Sequence, residues 1–95
     1  MVFNWNDEKN EYLKKTRNIS IEEIVIAIEN GDVLDILENP FSTYKNQIII
    51  IVNIENYAYV VPVLKTGKEY FLKTIFPSRK YTNKYFNKKK IKNEN

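Results

Sequence analysis

The most constraining stretch of this chain lies between residues 47 and 76. Three strand-like runs, Gln47–Ile54, Tyr57–Leu64 and Glu69–Phe76, are joined by nothing longer than Glu55-Asn56 and Lys65-Thr66-Gly67-Lys68. A parallel crossover needs about a dozen residues, so connections this short make neighbouring strands antiparallel. The expectation is a β-meander. Pro62 falls inside the middle run. It brings no backbone donor, so the ladder must be bulged or interrupted beside it. In the last run Tyr70, Leu72, Thr74 and Phe76 alternate with Phe71, Lys73 and Ile75. Strand periodicity then sets Lys73 on one face between two apolar neighbours.

The first half of the chain has helical period instead. Asn6, followed by Asp7 and Glu8, reads as an N-cap with acids in the first turn, and a helix is expected over Asp7–Arg17. Lys14, Lys15 and Arg17 fall at its end, where cations suit the helix dipole without any functional demand. Ser20-Ile21-Glu22-Glu23 is a capping box, and Ile21, Ile24, Val25 and Ile28 follow as one apolar stripe until Asn30-Gly31. This spacing predicts a second helix whose stripe is core. Val33–Leu37 reads as a short strand closed by Asn39-Pro40, and Phe3-Asn4-Trp5 as an edge strand. Pro77-Ser78 opens a short last helix to about Asn87, with Tyr81 and Tyr85 four apart.

The fold class is therefore α+β: two N-terminal helices packed on an antiparallel meander of three to four strands, with a short C-terminal helix. At 95 residues this is one domain, spanning 1–87. A basic tail, 88–95, has no apolar period and is expected to be disordered.

Several functions are excluded outright. The longest apolar run, Ile48–Val52, cannot cross a bilayer that needs about 20 residues in a helix. The first residues lack the layout of a signal peptide, so the expectation is a cytoplasmic protein with no membrane partner. Cysteine and histidine are both absent. Disulfides, thiolate and imidazole metal sites, catalytic triads and histidine-pair ribonuclease chemistry go with them. Two glycines cannot build a phosphate-cradling loop. Glu22-Glu23 and Asp32/Asp35 lack a clustered third ligand, so neither a metal nor a cofactor is expected.

Charge is segregated along the chain. Residues 1–77 hold eight Lys/Arg and eleven Asp/Glu, whereas residues 78–95 hold seven Lys/Arg against Glu94 alone. A basic end of this kind suits an anionic partner such as nucleic acid, and serves solubility equally well. The residues left to carry chemistry are cations and phenols: Lys14, Lys15, Arg17, Lys73, Arg79, Lys80, Lys84, Tyr81 and Tyr85. Such groups can cleave RNA without a metal. A base removes the 2′-hydroxyl proton, fixed cations stabilise the pentavalent phosphate, and an acid protonates the leaving oxygen. The same groups also suit binding alone, with cations on phosphates and tyrosines stacked on bases. Arg79, at the start of the last helix, opposes the helix dipole, so an external anion or an acidic neighbour is expected. Tyr81 and Tyr85 fit either helix docking or base stacking. Exposed edge strands would also suit recruitment of a partner by strand addition.

Three segments carry a family resemblance. Phe3-Asn4-Trp5-Asn6-Asp7-Glu8-Lys9-Asn10 resembles the Phe-x-Trp-Asp-x-x-Lys opening of BrnT-type toxins of bacterial type II toxin–antitoxin pairs. Ile19-Ser20-Ile21-Glu22-Glu23 resembles their Val-Ser-Phe-Glu-Glu segment, and Leu72–Thr82 resembles their Ile-Ile-Ser-Ala-Arg-Lys-Ala-Thr stretch. The resemblance implies a fold similar to RelE-type ribonucleases and a metal-independent endoribonuclease that cleaves messenger RNA and arrests translation. It also implies a neutralising ribbon–helix–helix antitoxin, with operator DNA bound only through the toxin–antitoxin complex. Carried over by position, Trp5 and Lys9 match the opening motif, and Arg79 with Lys80 match the Ser-x-Arg-Lys motif. Where many members carry Lys-His-Gly this chain has Thr16-Arg17-Asn18, and Asn6 replaces an aspartate. The expected site thus joins Arg79 as phosphate clamp with Lys80, Arg17, Lys73 and Tyr85 as catalytic groups. Lys9, Lys14, Lys15, Tyr81 and Lys84 would hold substrate, in a cleft between the early helices and the sheet. The alternative implied by the missing histidine is a non-catalytic member that binds RNA or a partner protein.

Overall fold

A computed structural model describes residues 2–38 and 46–86. Its elements are β1 (Val2–Trp5), α1 (Asp7–Arg17), α2 (Ile21–Glu29), β2 (Val33–Glu38), β3 (Gln47–Ile54), β4 (Tyr57–Thr66), β5 (Glu69–Leu72), β6 (Phe76–Pro77) and α3 (Arg79–Phe86). The basic tail and Asn39-Pro40 lie outside the described residues.

Local chemistry sets the two early helices. The Asn6 side chain accepts from the Lys9 N–H at 2.9 Å, and Asn18 ends α1 in the left-handed region at φ 54°, a conformation asparagine tolerates better than most residues. Both arms of the Ser20/Glu23 capping box are formed. Between the helices sits Asn10, buried; it donates to Glu22 Oε1 at 2.7 Å and accepts from the Ile21 N–H at 2.8 Å. One side chain thereby fixes the start of α2 against α1.

The sheet is six-stranded, in the order β1-β5-β4-β3-β2, with β6 beside β4. The expected meander is its centre: β3, β4 and β5 pair antiparallel in sequence order. Two strands extend it beyond the three or four expected. β2 adds antiparallel to β3, with a register shift between Val33 and Asp35, and β1 pairs parallel with β5. A parallel pairing is possible there because more than sixty residues separate the two strands. Glu55 and Asn56 both have positive φ, 51° and 64°, as a two-residue hairpin of the primed type requires.

Helices pack on both faces of the sheet. α1 and α2 bury Leu13, Ile21, Ile24 and Ala27 against Ile50, Val52, Val61, Val63, Leu72 and Ile75. On the opposite face α3 lays Tyr81 and Tyr85 over Ile51, Ala58 and Val60. The uninterrupted apolar run Ile48–Val52 follows from this, since a strand covered on both sides cannot alternate with polar residues.

The last strand departs from its expected course. Pairing of β5 with β4 ends at Leu72 opposite Val63, and the Lys73 N–H then donates to the Pro62 carbonyl at 3.0 Å. In an antiparallel ladder one residue's N–H and C=O point to the same neighbour. Pro62 therefore lacks its donor on the side facing Lys73, and the strand breaks there. Lys73–Ile75 leave the ladder, and pairing resumes as Phe76↔Val60 and Pro77↔Tyr59. The alternation breaks with it. Ile75 does not share a face with Lys73 and Phe71 but turns into the helix-side core, fully buried. Lys73 is exposed.

Candidate nucleic-acid interface

The segment that follows the break divides its residues by role. Ser78 is the N-terminal cap of α3: its N–H donates to the Ala58 carbonyl at 2.9 Å, and its Oγ accepts from the Tyr81 N–H at 3.1 Å. Thr82 Oγ1 donates to the Ser78 carbonyl at 2.7 Å and accepts from the Ala58 N–H at 2.8 Å. Together these bonds pin the helix to the start of β4. Tyr81 and Tyr85 stack with centroids 6.3 Å apart and rings inclined by 19°, and both rest on the sheet. Of the alternatives open to these tyrosines, docking is the role the structure gives them.

Tyr85 carries a second constraint. Its hydroxyl donates to Asp35 Oδ2 at 2.6 Å, while Asp35 Oδ1 accepts from the Ile36 N–H at 2.8 Å. Burial and the Asp35 carboxylate push the Tyr85 phenol up to about 12. The same bond, aided by the Ile36 N–H and the Lys84 charge, holds Asp35 below the ordinary carboxylate range. In the free protein the Tyr85 hydroxyl is thus engaged by Asp35, and the residue anchors α3 to β2.

Arg79 and Lys80 have no such employment. Both are exposed, and neither forms a hydrogen bond or ion pair with any described residue. The Lys80 ammonium lies 5.6 Å from the Tyr81 ring centre and that of Lys84 lies 5.4 Å from the Tyr85 ring centre, so the tyrosine stack carries a cation at each end. Lys73 belongs to the same side of the sheet. It sits opposite Pro62, which pairs with Ile49 of the α3-side cluster. Next to it the sheet is not covered by α3, and the row Leu64, Phe71 and Asn4 crosses three strands. Phe71 is 38% exposed there. Sequence alternation already put Phe71 beside Lys73; what it lacked was the knowledge that this half of the face stays open.

The expected cleft between the early helices and the sheet is not where these cations meet. α1 and α2 occupy one face, whereas Lys73, Arg79, Lys80, Lys84 and Tyr81 belong to the other. Lys9, Lys14 and Lys15 stay on α1, away from α3. The Lys9 ammonium lies 5.1 Å from the Tyr12 ring centre. Lys14 pairs with Glu11 at 3.1 Å, a bond that raises its pKa. Trp5 is half-buried against the helix-side core and acts as its anchor. Of these α1 cations, Arg17 reaches the other segment: its Nη1 donates to the Ile75 carbonyl at 2.5 Å, two residues after Lys73 and four before Arg79.

The arrangement puts an open, partly apolar sheet surface around Phe71 on the same face as Lys73 and the helix that carries Arg79, Lys80 and Lys84. Such a surface can hold phosphates by charge and bases by stacking. Among the described residues no helix is long and apolar enough to cross a membrane. Comparison of the chain with protein-family models, with curated proteins and with solved structures gave no match in any of the three.

Proposed function

We propose that this chain is the toxin of a type II toxin–antitoxin pair, a cytoplasmic, metal-independent endoribonuclease of BrnT and RelE type acting on messenger RNA. One observation carries the reading. In Ser78-Arg79-Lys80-Tyr81-Thr82 the serine, tyrosine and threonine all hold the helix in place, and neither cation forms a hydrogen bond or ion pair with a described residue. A guanidinium at the first position of a helix, against the dipole and without an acid beside it, is there for an anion that comes from outside.

In this reading Arg79 clamps the scissile phosphate and Lys73 and Lys80 neutralise its developing charge, while Phe71 stacks on a flanking base. Arg17 holds the segment rather than the substrate. With Tyr85 bound to Asp35, proton transfer in this reading falls to the lysines of this face, Lys73, Lys80 and Lys84. The neutralising partner is a ribbon–helix–helix antitoxin, and operator DNA is reached only through the complex.

The test is induced expression in bacteria with and without the neighbouring antitoxin gene, scored by growth and RNA integrity, alongside cleavage by purified protein in chelator. Cleavage that survives chelator and is lost in Arg79→Ala supports the enzyme. The second reading, a member that binds RNA or a partner without cutting, is favoured by the missing histidine and by Arg17's bond to Ile75. It is chosen if the pure protein binds RNA in a salt-sensitive way and leaves it intact.

A further inference from the structure

Opposite in charge to α3 is a cleft of about 270 Å³ between the C-terminal half of α2 and the β3–β4 turn, lined by Glu23, Ile26, Asp32, Asn53 and Glu55 among others. We propose that this cleft docks a basic, amphipathic polypeptide segment of a partner protein, with Ile26 as the apolar contact and Glu23, Asp32 and Glu55 facing the partner's lysines or arginines.

Several observations converge on it. Ile26 is 56% exposed, a large aliphatic side chain on the flank of α2 that joins neither core. Residues 20–38 hold six acids and no Lys or Arg. The last turn of α2 has no base, and its final residue is Glu29. An acid at the negative end of a helix dipole does not stabilise the helix, and Glu29 adds to the negative charge of this end of the molecule. Glu55 sits in the left-handed region at φ 51°, a conformation in which glycine is at ease and glutamate is strained. The turn keeps a carboxylate at the cleft despite that strain. The resulting field is felt nearby: besides burial and Tyr57, Glu23 and Glu55 raise the Tyr59 pKa.

The occupant follows from this chemistry. Among the described residues no three acids come close enough to hold a metal ion, so the field suits cations spaced along a chain. RNA is repelled from this end by its own charge. An apolar contact ringed by acids matches one face of a basic amphipathic segment. The proposal is independent of the RNA-cleavage reading, because the cleft lies across the sheet from α3.

The test uses the full chain and a fluorescent synthetic helix of leucine and lysine, with a leucine–glutamate helix as its counterpart. The leucine–lysine helix should bind with salt-sensitive affinity and shift amide resonances of α2 and the β3–β4 turn. Ile26→Ser should weaken it roughly tenfold, as loss of a central contact does. Asp32→Asn with Glu55→Gln should weaken it by roughly threefold and flatten its salt dependence. Lys68→Ala, at the other end of β4, should change nothing. Equal binding of the glutamate helix, or full binding by Ile26→Ser, overturns the proposal, as do amide shifts confined to α3. So does self-association of the free chain that Ile26→Ser abolishes, which would assign the surface to a second copy. Resonance mapping on the unaltered protein decides the matter even if a variant fails to fold.

Discussion

The guanidinium of Arg17 donates to the carbonyl of Ile75 at 2.5 Å, across 58 residues of chain. That carbonyl is one the sheet left behind. Pro62 withholds a donor, the strand ends at Leu72, and Ile75 turns its side chain into the core. Arg17 satisfies the oxygen and ties the end of α1 to the segment bearing Lys73, Arg79 and Lys80. A guanidinium suits this because it stays charged and reaches in a fixed fork.

Arg17→Ala is therefore expected to destabilise the fold by about 1–2 kcal/mol, as loss of a charge-assisted bond to a part-buried acceptor does. Urea denaturation measures the loss. Amide exchange should accelerate first at residues 73–76, and Arg17→Lys should recover only part of it. Unchanged exchange at that segment would show that the bond positions nothing.

Arg79→Ala should leave stability within about 0.5 kcal/mol, because the side chain is exposed and makes no bond to a described residue. RNA cleavage, or RNA binding in the non-catalytic reading, should be lost. A large drop in melting temperature would mark Arg79 as structural instead.

Pro62→Ala restores a donor facing the Lys73 carbonyl, completing the pair that the Lys73 N–H already half-forms. A slowly exchanging amide at position 62 is expected, with stability changed by less than about 1 kcal/mol. RNA cleavage should fall, since Lys73 would be drawn into the ladder. Rapid exchange at position 62 would show that the break has another cause.

The Tyr85–Asp35 bond gives a pH signature at each end of the scale. Asp35 is held below its ordinary range, so its contribution is present above the unfolded carboxyl value of about 3.9 and is lost as pH falls through the folded value. Tyr85 is pushed up to about 12. Its contribution is intact below the ordinary tyrosine value of about 10 and is lost as pH rises from there through the folded value. Thermal melts and phenolate absorbance across pH read both limbs. Tyr85→Phe should remove the late-titrating phenol, lower the melting temperature by a few degrees and flatten the alkaline limb.

Much of the secondary structure is legible residue by residue. Asn6 and Ser20 announce α1 and α2, and Gln47–Ile54 is bounded as its period suggests. The Pro62 expectation holds in substance, but the interruption falls on the neighbouring strand, because a missing donor acts on whatever lies across from it. The candidate site is less legible. Periodicity gives Lys73 a face, yet the alternation fails two residues later when Ile75 turns inward. Nothing local says that α3 takes the face opposite α1 and α2.

By itself, the sequence determined what short-range physics decides: capped helices, strands joined by two tight turns, and the absence of any imidazole or thiol. These depend on residues within a turn or two of each other. Tertiary structure alone decided which layer each helix covers, and so which cations can share a surface. It also decided that Arg17 serves a carbonyl while Arg79 bonds to no described residue, since that outcome depends on groups dozens of residues apart being brought together.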